Sequence, residues 1–245
     1  MSARRVLATT RRVLRQLRHD PRTIALMLVV PCVLMTLLRF LYDGRPLVFD
    51  HVGPMLLALF PFTVMFVVTS VAMLRERTSG TLERLLTTPL AKVDLLAGYA
   101  LAFGLVALVQ VALVTTLSLG LLDLRIQGSV ALLALVGVID ALLGTALGLF
   151  LSAFADSEFQ AVQFLPAFVL PQLLLCGLLT PRDQMATALR YLSDVMPMSY
   201  AVDGATRAAG STAVNGALTV DLVVVCACVP VALGLGAATL RRRTP

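Results

Sequence analysis

The sequence predicts an all-α polytopic membrane protein with six transmembrane helices, and three observations predict it. Of its 245 residues 58% are hydrophobic and only 14% charged, whereas a soluble domain carries about 25% charged residues; the mean hydropathy is +0.90. Apolar runs near the roughly 20 residues needed to cross a bilayer recur along the whole chain. Basic residues crowd alternate connections, as cytoplasmic loops do.

The first element, Arg4 to Arg18, has helical period. Val6, Leu7, Val13, Leu14 and Leu17 share one face, and Arg4, Arg5, Arg11, Arg12, Arg15 and Arg18 the other. This predicts a helix lying in the membrane interface, its apolar face among acyl chains and its guanidinium groups on anionic headgroups. A plain basic tail that only sets topology is the competing reading. Asp20-Pro21 ends the helix. The first span follows from Thr23 to Tyr42; no small-residue cleavage pattern succeeds it, so it reads as a retained span rather than a signal peptide. Further spans are predicted at Val52–Leu74, Leu96–Leu122, Val130–Ala153, Ala161–Thr180 and Ala217–Leu240.

This map puts Arg4, Arg5, Arg11, Arg12, Arg15, Arg18, Arg22, Arg75, Arg77, Arg84, Lys92 and Arg241 to Arg243 on one side. Arg39, Arg45, Arg125, Arg182, Arg190 and Arg207 fall on the other. The first group is the larger by more than two to one, which predicts both termini in the cytoplasm. Residues 1–245 then form one transmembrane domain, with an interfacial helix at 1–22, a cytoplasmic loop at 75–95 and an outer segment at 181–216.

Within the 75–95 loop, Thr78, Ser79 and Gly80 offer a helix start, Leu82, Leu85 and Leu86 an apolar face, and Pro89 a stop. Such a helix is too short to fold alone and needs a surface, either headgroups or a protein groove. In the outer segment Met185, Leu189 and Leu192 recur at helical spacing before Met196-Pro197-Met198-Ser199-Tyr200. One or two short helices are expected there, re-entrant or capping the surface. Asp140 falls in the middle of the fourth span, where an ionised carboxylate is costly and must face protein or water. Gly137, Gly144 and Gly148 share its face and predict a helix-packing stripe. Arg39 and Asp221 lie near span ends and can reach the interface. Pro31, Pro54, Pro61, Pro166, Pro171 and Pro230 predict kinks or local unwinding.

Several functions are excluded by residue type. The net charge of +6 reflects topology rather than nucleic-acid binding. Lys92, the only lysine, follows Ala91, so this chain holds no phosphate-binding Gly-Lys loop. Gly234-Leu235-Gly236 has Thr239 where a dinucleotide fingerprint needs glycine. His19 and His51 lie outside the apolar spans and far from Cys32, Cys176, Cys226 and Cys228, which leaves no hydrolase triad, zinc site or disulfide framework. The intramembrane Asp140 leaves an ion-coupled secondary carrier open as an alternative function.

Glu76, Gly80-Thr81-Leu82-Glu83, Leu85-Leu86, Thr88-Pro89-Leu90 and Gly98 resemble the signature of ABC type-2 transporter permeases. Cys176-Gly177-Leu178-Leu179-Thr180-Pro181 and Met196-Pro197-Met198-Ser199-Tyr200-Ala201 are similar to the daunorubicin-resistance type of drug and lipid exporter within that family. Gly98-Tyr99 stands where the family often has Gly-Lys. The resemblance implies a permease of the bacterial inner membrane that moves a hydrophobic or amphipathic compound outward. It also implies a second copy or paralogue, and separate ATP-binding-cassette subunits that hold the ATP and magnesium, so that this chain needs no cofactor and is not itself an enzyme. Arg75, Glu76, Gly80, Thr81, Leu82, Glu83, Leu85 and Leu86 would then form a coupling helix seated in the ATPase, and Arg4 to Arg18 an elbow helix.

Overall fold

A computed structural model describes residues 2–87 and 91–239, without the side chains of Glu83 and Leu86. Thr88-Pro89-Leu90, the predicted end of the sixth span at Leu240, and Arg241 to Arg243 lie outside the described residues, as do the side chains of Glu83 and Leu86. The described residues form helices and connections with no strand.

Helix α1 spans Ala3–Arg18 and α2 Pro21–Leu41. Asp20 separates them and caps α2, accepting from the Thr23 amide at 3.2 Å and the Thr23 hydroxyl at 2.6 Å. These bonds, the hydroxyl's first, hold the Asp20 carboxyl below its ordinary pKa. Helix α3, Pro46–Thr78, is much longer than the predicted span. Pro46 starts it early, and Arg75, Glu76 and Arg77 continue it because their side chains find partners elsewhere in the chain. Helix α4 is Thr81–Leu86, α5 Lys92–Gly120 and α6 Val130–Leu151.

The fifth span is broken: α7, Glu158–Phe164, passes into a π-helical turn at Leu165–Val169 and then α8, Leu170–Leu175. Pro166 and Pro171 remove two donors there, and the span ends five residues before the expected Thr180. Helices α2, α3 and α11 instead continue through Pro31, Pro54, Pro61 and Pro230. Helix α9 is Thr187–Val195, α10 Pro197–Gly210 and α11 Gly216–Thr239. Among the described residues six helical segments, α2, α3, α5, α6, α7 with α8, and α11, are long and apolar enough to span a membrane. The chain is a multi-pass membrane protein.

Helix α3 is the central span, and α6 packs along it most extensively. The predicted glycine stripe makes this possible: a Cβ on Gly144 would lie 2.4 Å from the Phe62 carbonyl oxygen, and one on Gly148 2.4 Å from that of Phe66. The backbones are close enough for the Thr69 hydroxyl of α3 to donate to the Thr145 carbonyl of α6 at 3.2 Å.

The two expected forms of the outer segment are divided between its two helices. Helix α10 is inserted among α3, α6 and α11, burying Met198, Ala201, Val202 and Ala205, and the amides of Gln127, Gly128 and Ser129 dock on its last turn. Helix α9 stays at the surface with Tyr191 and Val195 exposed.

Candidate functional site

At the α3–α4 corner the chain reverses through Ser79 and Gly80. Gly80 has φ +70, and a Cβ there would meet nothing within 4 Å, so it is backbone conformation that requires glycine. The following helix is the expected amphipathic one, but the surface it presses on is this chain. Leu82 is 4% exposed, within the apolar cluster that holds Met73, Leu95 and Leu96, and Leu85 packs against the same cluster. Among the described side chains of the corner the exposed ones are the polar Ser79, Arg84 and Thr87, and Thr81 is half-buried with its hydroxyl 2.9 Å from that of Ser79. Leu82, expected among residues that touch a partner, is therefore covered by its own domain.

Glu76 is likewise turned inward. It is 8% exposed, and Arg12 donates to both of its oxygens at 3.3 and 3.4 Å while Gln16 donates at 3.1 Å. Arg12 also donates to the Tyr99 hydroxyl at 2.8 Å, with its guanidinium carbon 5.8 Å from the centre of that ring. Arg75 is exposed and pairs with Glu158 on α7.

Helix α1 packs along α5 rather than resting wholly on lipid. Its buried face is Thr9, Thr10, Val13 and Leu17, while Leu7, expected on the apolar face, is 60% exposed. The physical reason is Gly98. A Cβ there would lie 2.5 Å from the Thr9 Cβ, so its absence lets the two helices approach, and the Thr10 hydroxyl donates to the Gly98 carbonyl at 3.1 Å. The Ser2 amide donates to Asp94 at 3.1 Å, with Arg5 3.9 Å from the same carboxylate. Arg4, Arg5, Arg11, Arg15 and Arg18 remain exposed, and Arg12 alone turns inward. Period alone does not separate Arg12 from the others; the signal that could have is its spacing from Gln16, one turn on.

A cavity of about 480 Å³ opens between α1, α2, α3 and α5 beside this corner. Leu17, Leu26, Val67, Val71 and Phe103 line its apolar walls, and Gln16, Asp20, Arg75, Glu76, Ser79 and Thr81 its polar rim. Such a groove suits a molecule with one apolar and one polar end.

Asp140 is fully buried in α6, and neither carboxylate oxygen has a hydrogen-bond partner among the described residues. At the opposite end of the spans lies a network that sequence reasoning missed. Arg182 pairs with Asp194 and Asp203, and Arg207 with Asp203 and Asp221. Asp221 is 4% exposed, so it does not reach the interface as expected but ties α11 to α10. The network borders a second cavity, of about 460 Å³, lined also by His51, Cys176 and Arg190. Arg39 donates from Nε to the Leu122 carbonyl at 3.0 Å. Among the described residues no cluster of His, Cys, Asp or Glu could hold a metal ion.

Residues 4–208 match the family model described as ABC-2 type transporter. The chain is 30% identical over 152 residues to the probable multidrug ABC transporter permease YbhR of Escherichia coli K12, covering 62% of this chain and 41% of that protein. It is 31% identical over 137 residues to the inner membrane transport permease YhhJ of the same strain, covering 56% and 37%. It is 24% identical over 170 residues to the linearmycin resistance permease protein LnrN of Bacillus subtilis 168, covering 67% and 43%. The chain thus spans about two fifths of the length of the curated relatives it matches.

Proposed function

The chain belongs to the ABC-2 type transporter family, and from that premise we propose that it is the permease subunit of an exporter that carries a hydrophobic or amphipathic compound, such as a drug, antibiotic or lipid, across the inner membrane. The observation that carries this reading is the α3–α4 corner: a six-residue helix seated by Leu82 and Leu85 on its own domain, with Ser79, Arg84 and Thr87 directed outward. A separate ATP-binding subunit, holding ATP and magnesium, engages that polar outer face. Glu76, Leu82 and Leu85 support the coupling helix from behind, while Ser79, Arg84 and Thr87 are its contacts with the ATPase. Two permease subunits, alike or paralogous, complete the transporter through the apolar faces of α2, α8 and α11. Their exposed residues include Leu37, Leu174 and Val231.

The excess of arginine at the α1–α4 end supports a cytoplasmic location for that end and for both termini. There Arg4, Arg5, Arg11, Arg15 and Arg18 meet anionic headgroups, and the amphipathic groove beside α1 takes cargo from the inner leaflet. Relatives named for multidrug and linearmycin resistance support the cargo class. Closure of the ATPase subunits shifts the corner and changes the relative stability of two arrangements of the spans; the energy comes from their differential contact with ATP.

The test is to tag the chain, solubilise membranes gently from cells that express its neighbouring genes, and ask which protein accompanies it. An ATP-binding-cassette subunit in roughly equal amount is expected. In that complex Arg84→Glu is expected to lower ATP-driven export about tenfold or more while leaving membrane insertion unchanged. Purification of the chain without any ATPase, or unaltered export by Arg84→Glu, would overturn the reading. A second reading, an ion-coupled carrier, is favoured only by the buried, unpartnered Asp140. Asp140→Asn keeps the side chain's shape and removes its proton chemistry. It is expected to retain export within about twofold, whereas proton coupling through Asp140 predicts its loss.

A further inference from the structure

Arg75, Glu76 and Arg77 are consecutive on the last full turn of α3, immediately before the Ser79-Gly80 reversal. With 3.6 residues per turn, successive side chains leave a helix about 100° apart. Three in a row therefore point round much of its circumference, and here they reach three different places. Glu76 takes Arg12 and Gln16 of α1. Arg75 forms a two-pronged pair with Glu158 in the first turn of α7, Nε to Oε1 at 2.7 Å and Nη2 to Oε2 at 3.2 Å. Arg77 donates to the carbonyls of Ser152 and, at 3.3 Å, Ala155, closing the end of α6 and the turn that leads to α7.

Two of the three ties thus converge on residues 152–158, the entrance to the fifth span. That span differs from the others in its backbone. After the seven residues of α7 it passes through the π-helical turn at Leu165–Val169, with Pro166 inside it and Pro171 just beyond. A π-helical turn next to proline has lost part of the regular hydrogen-bond ladder and is where a span bends at least cost. Beyond it α8 ends at Leu175, and Cys176, buried, lines the cavity at the opposite end of the molecule.

We propose that Arg75 and Arg77 are positioning residues that make the end of α3 and the start of α7 move as one body, so that a displacement of the α4 corner is delivered to the fifth span, bends it at Leu165–Val169 and changes the surroundings of Cys176. Glu76 ties the same corner to α1, so α1 moves with it. The Arg75–Glu158 pair is more than half exposed on both partners and adds little to stability. Its replacement leaves the fold intact, and a loss of response then reports transmission rather than unfolding.

The inference rests on the reading of α4 as an ATPase-coupling helix, and its test separates the two. In a chain with Cys32, Cys226 and Cys228 replaced by alanine, Cys176 is the single thiol. Its rate of labelling by N-ethylmaleimide is measured in the complex with the ATPase, with and without ATP plus vanadate. The expected result is a nucleotide-dependent change of several fold, lost in Arg75→Glu and in Glu158→Arg and restored in the exchanged pair Arg75→Glu/Glu158→Arg; Arg77→Gln also reduces it. Throughout, ATP hydrolysis is followed separately. If the complex hydrolyses ATP but Cys176 does not respond, or if Arg75→Glu responds as the parent does, the inference is overturned while the coupling reading stands. Failure of any ATPase to associate overturns the coupling reading itself, and this inference with it.

Discussion

Gly144→Val is expected to cost about 3 kcal/mol or more, enough to deplete the folded form by a factor of about 100. The added Cβ would lie 2.4 Å from the Phe62 carbonyl oxygen, 3.0 Å from its carbon and 3.1 Å from the Phe62 Cα. All three atoms belong to the backbone of α3, the most buried span, so no side chain can swing aside and the helices themselves have to separate. Separation would also break the hydrogen bond from Thr69 to the carbonyl of Thr145, the residue next to Gly144. Gly234→Val is the control, because a Cβ on Gly234 meets nothing within 4 Å. The fraction of protein that elutes as a single species after gentle solubilisation, and its thermal midpoint, are the measurements. Gly144→Val that matches Gly234→Val in both would show that α3 and α6 do not pack as described.

Arg12→Ala is expected to destabilise the docking of α1 by about 2–4 kcal/mol, because it leaves the buried Glu76 carboxylate with Gln16 alone. The interaction is not additive. Once Glu76 is also alanine, the loss of Arg12 removes only the Tyr99 contact, so Arg12→Ala/Glu76→Ala is expected to be less destabilised than the sum of the single changes. Limited trypsin digestion reads this directly, since Arg4, Arg11, Arg15 and Arg18 are exposed on α1 and cleavage there requires only that the helix leave α5. Equal protection of α1 in the parent and in Arg12→Ala would refute the arrangement.

The spans were legible because length and apolarity are enough to specify a membrane helix: in a bilayer no other fate is open to twenty apolar residues whose backbone must bond to itself. One boundary was legible for a local reason, the break at Asp20-Pro21 between the first helix and the first span, whereas Pro46 starts α3 six residues before the expected Val52. The stripe of Gly137, Gly144 and Gly148 was also legible, since only small residues let two helix backbones touch. The family signature around Gly80 and Leu82 was legible too, and Gly80 proved to be set by its left-handed backbone.

What the sequence could not decide was the partner of each charge. Period placed Arg12 with five other arginines on one face, and only the approach of α1 to α5 over Gly98 turned it toward Glu76 and Tyr99. Glu76 and Arg77 read as the start of a loop, yet lie within α3 because Arg12, Gln16 and two carbonyls at the end of α6 receive them there. Asp221 read as a residue at an interface and is paired with Arg207, fourteen positions away. Apolar burial is a property of a segment and accumulates along the chain, so the sequence by itself determined the six spans and their order. An ion pair depends on two side chains meeting within a few ångströms, and for residues far apart in the chain only the tertiary structure decided which ones met.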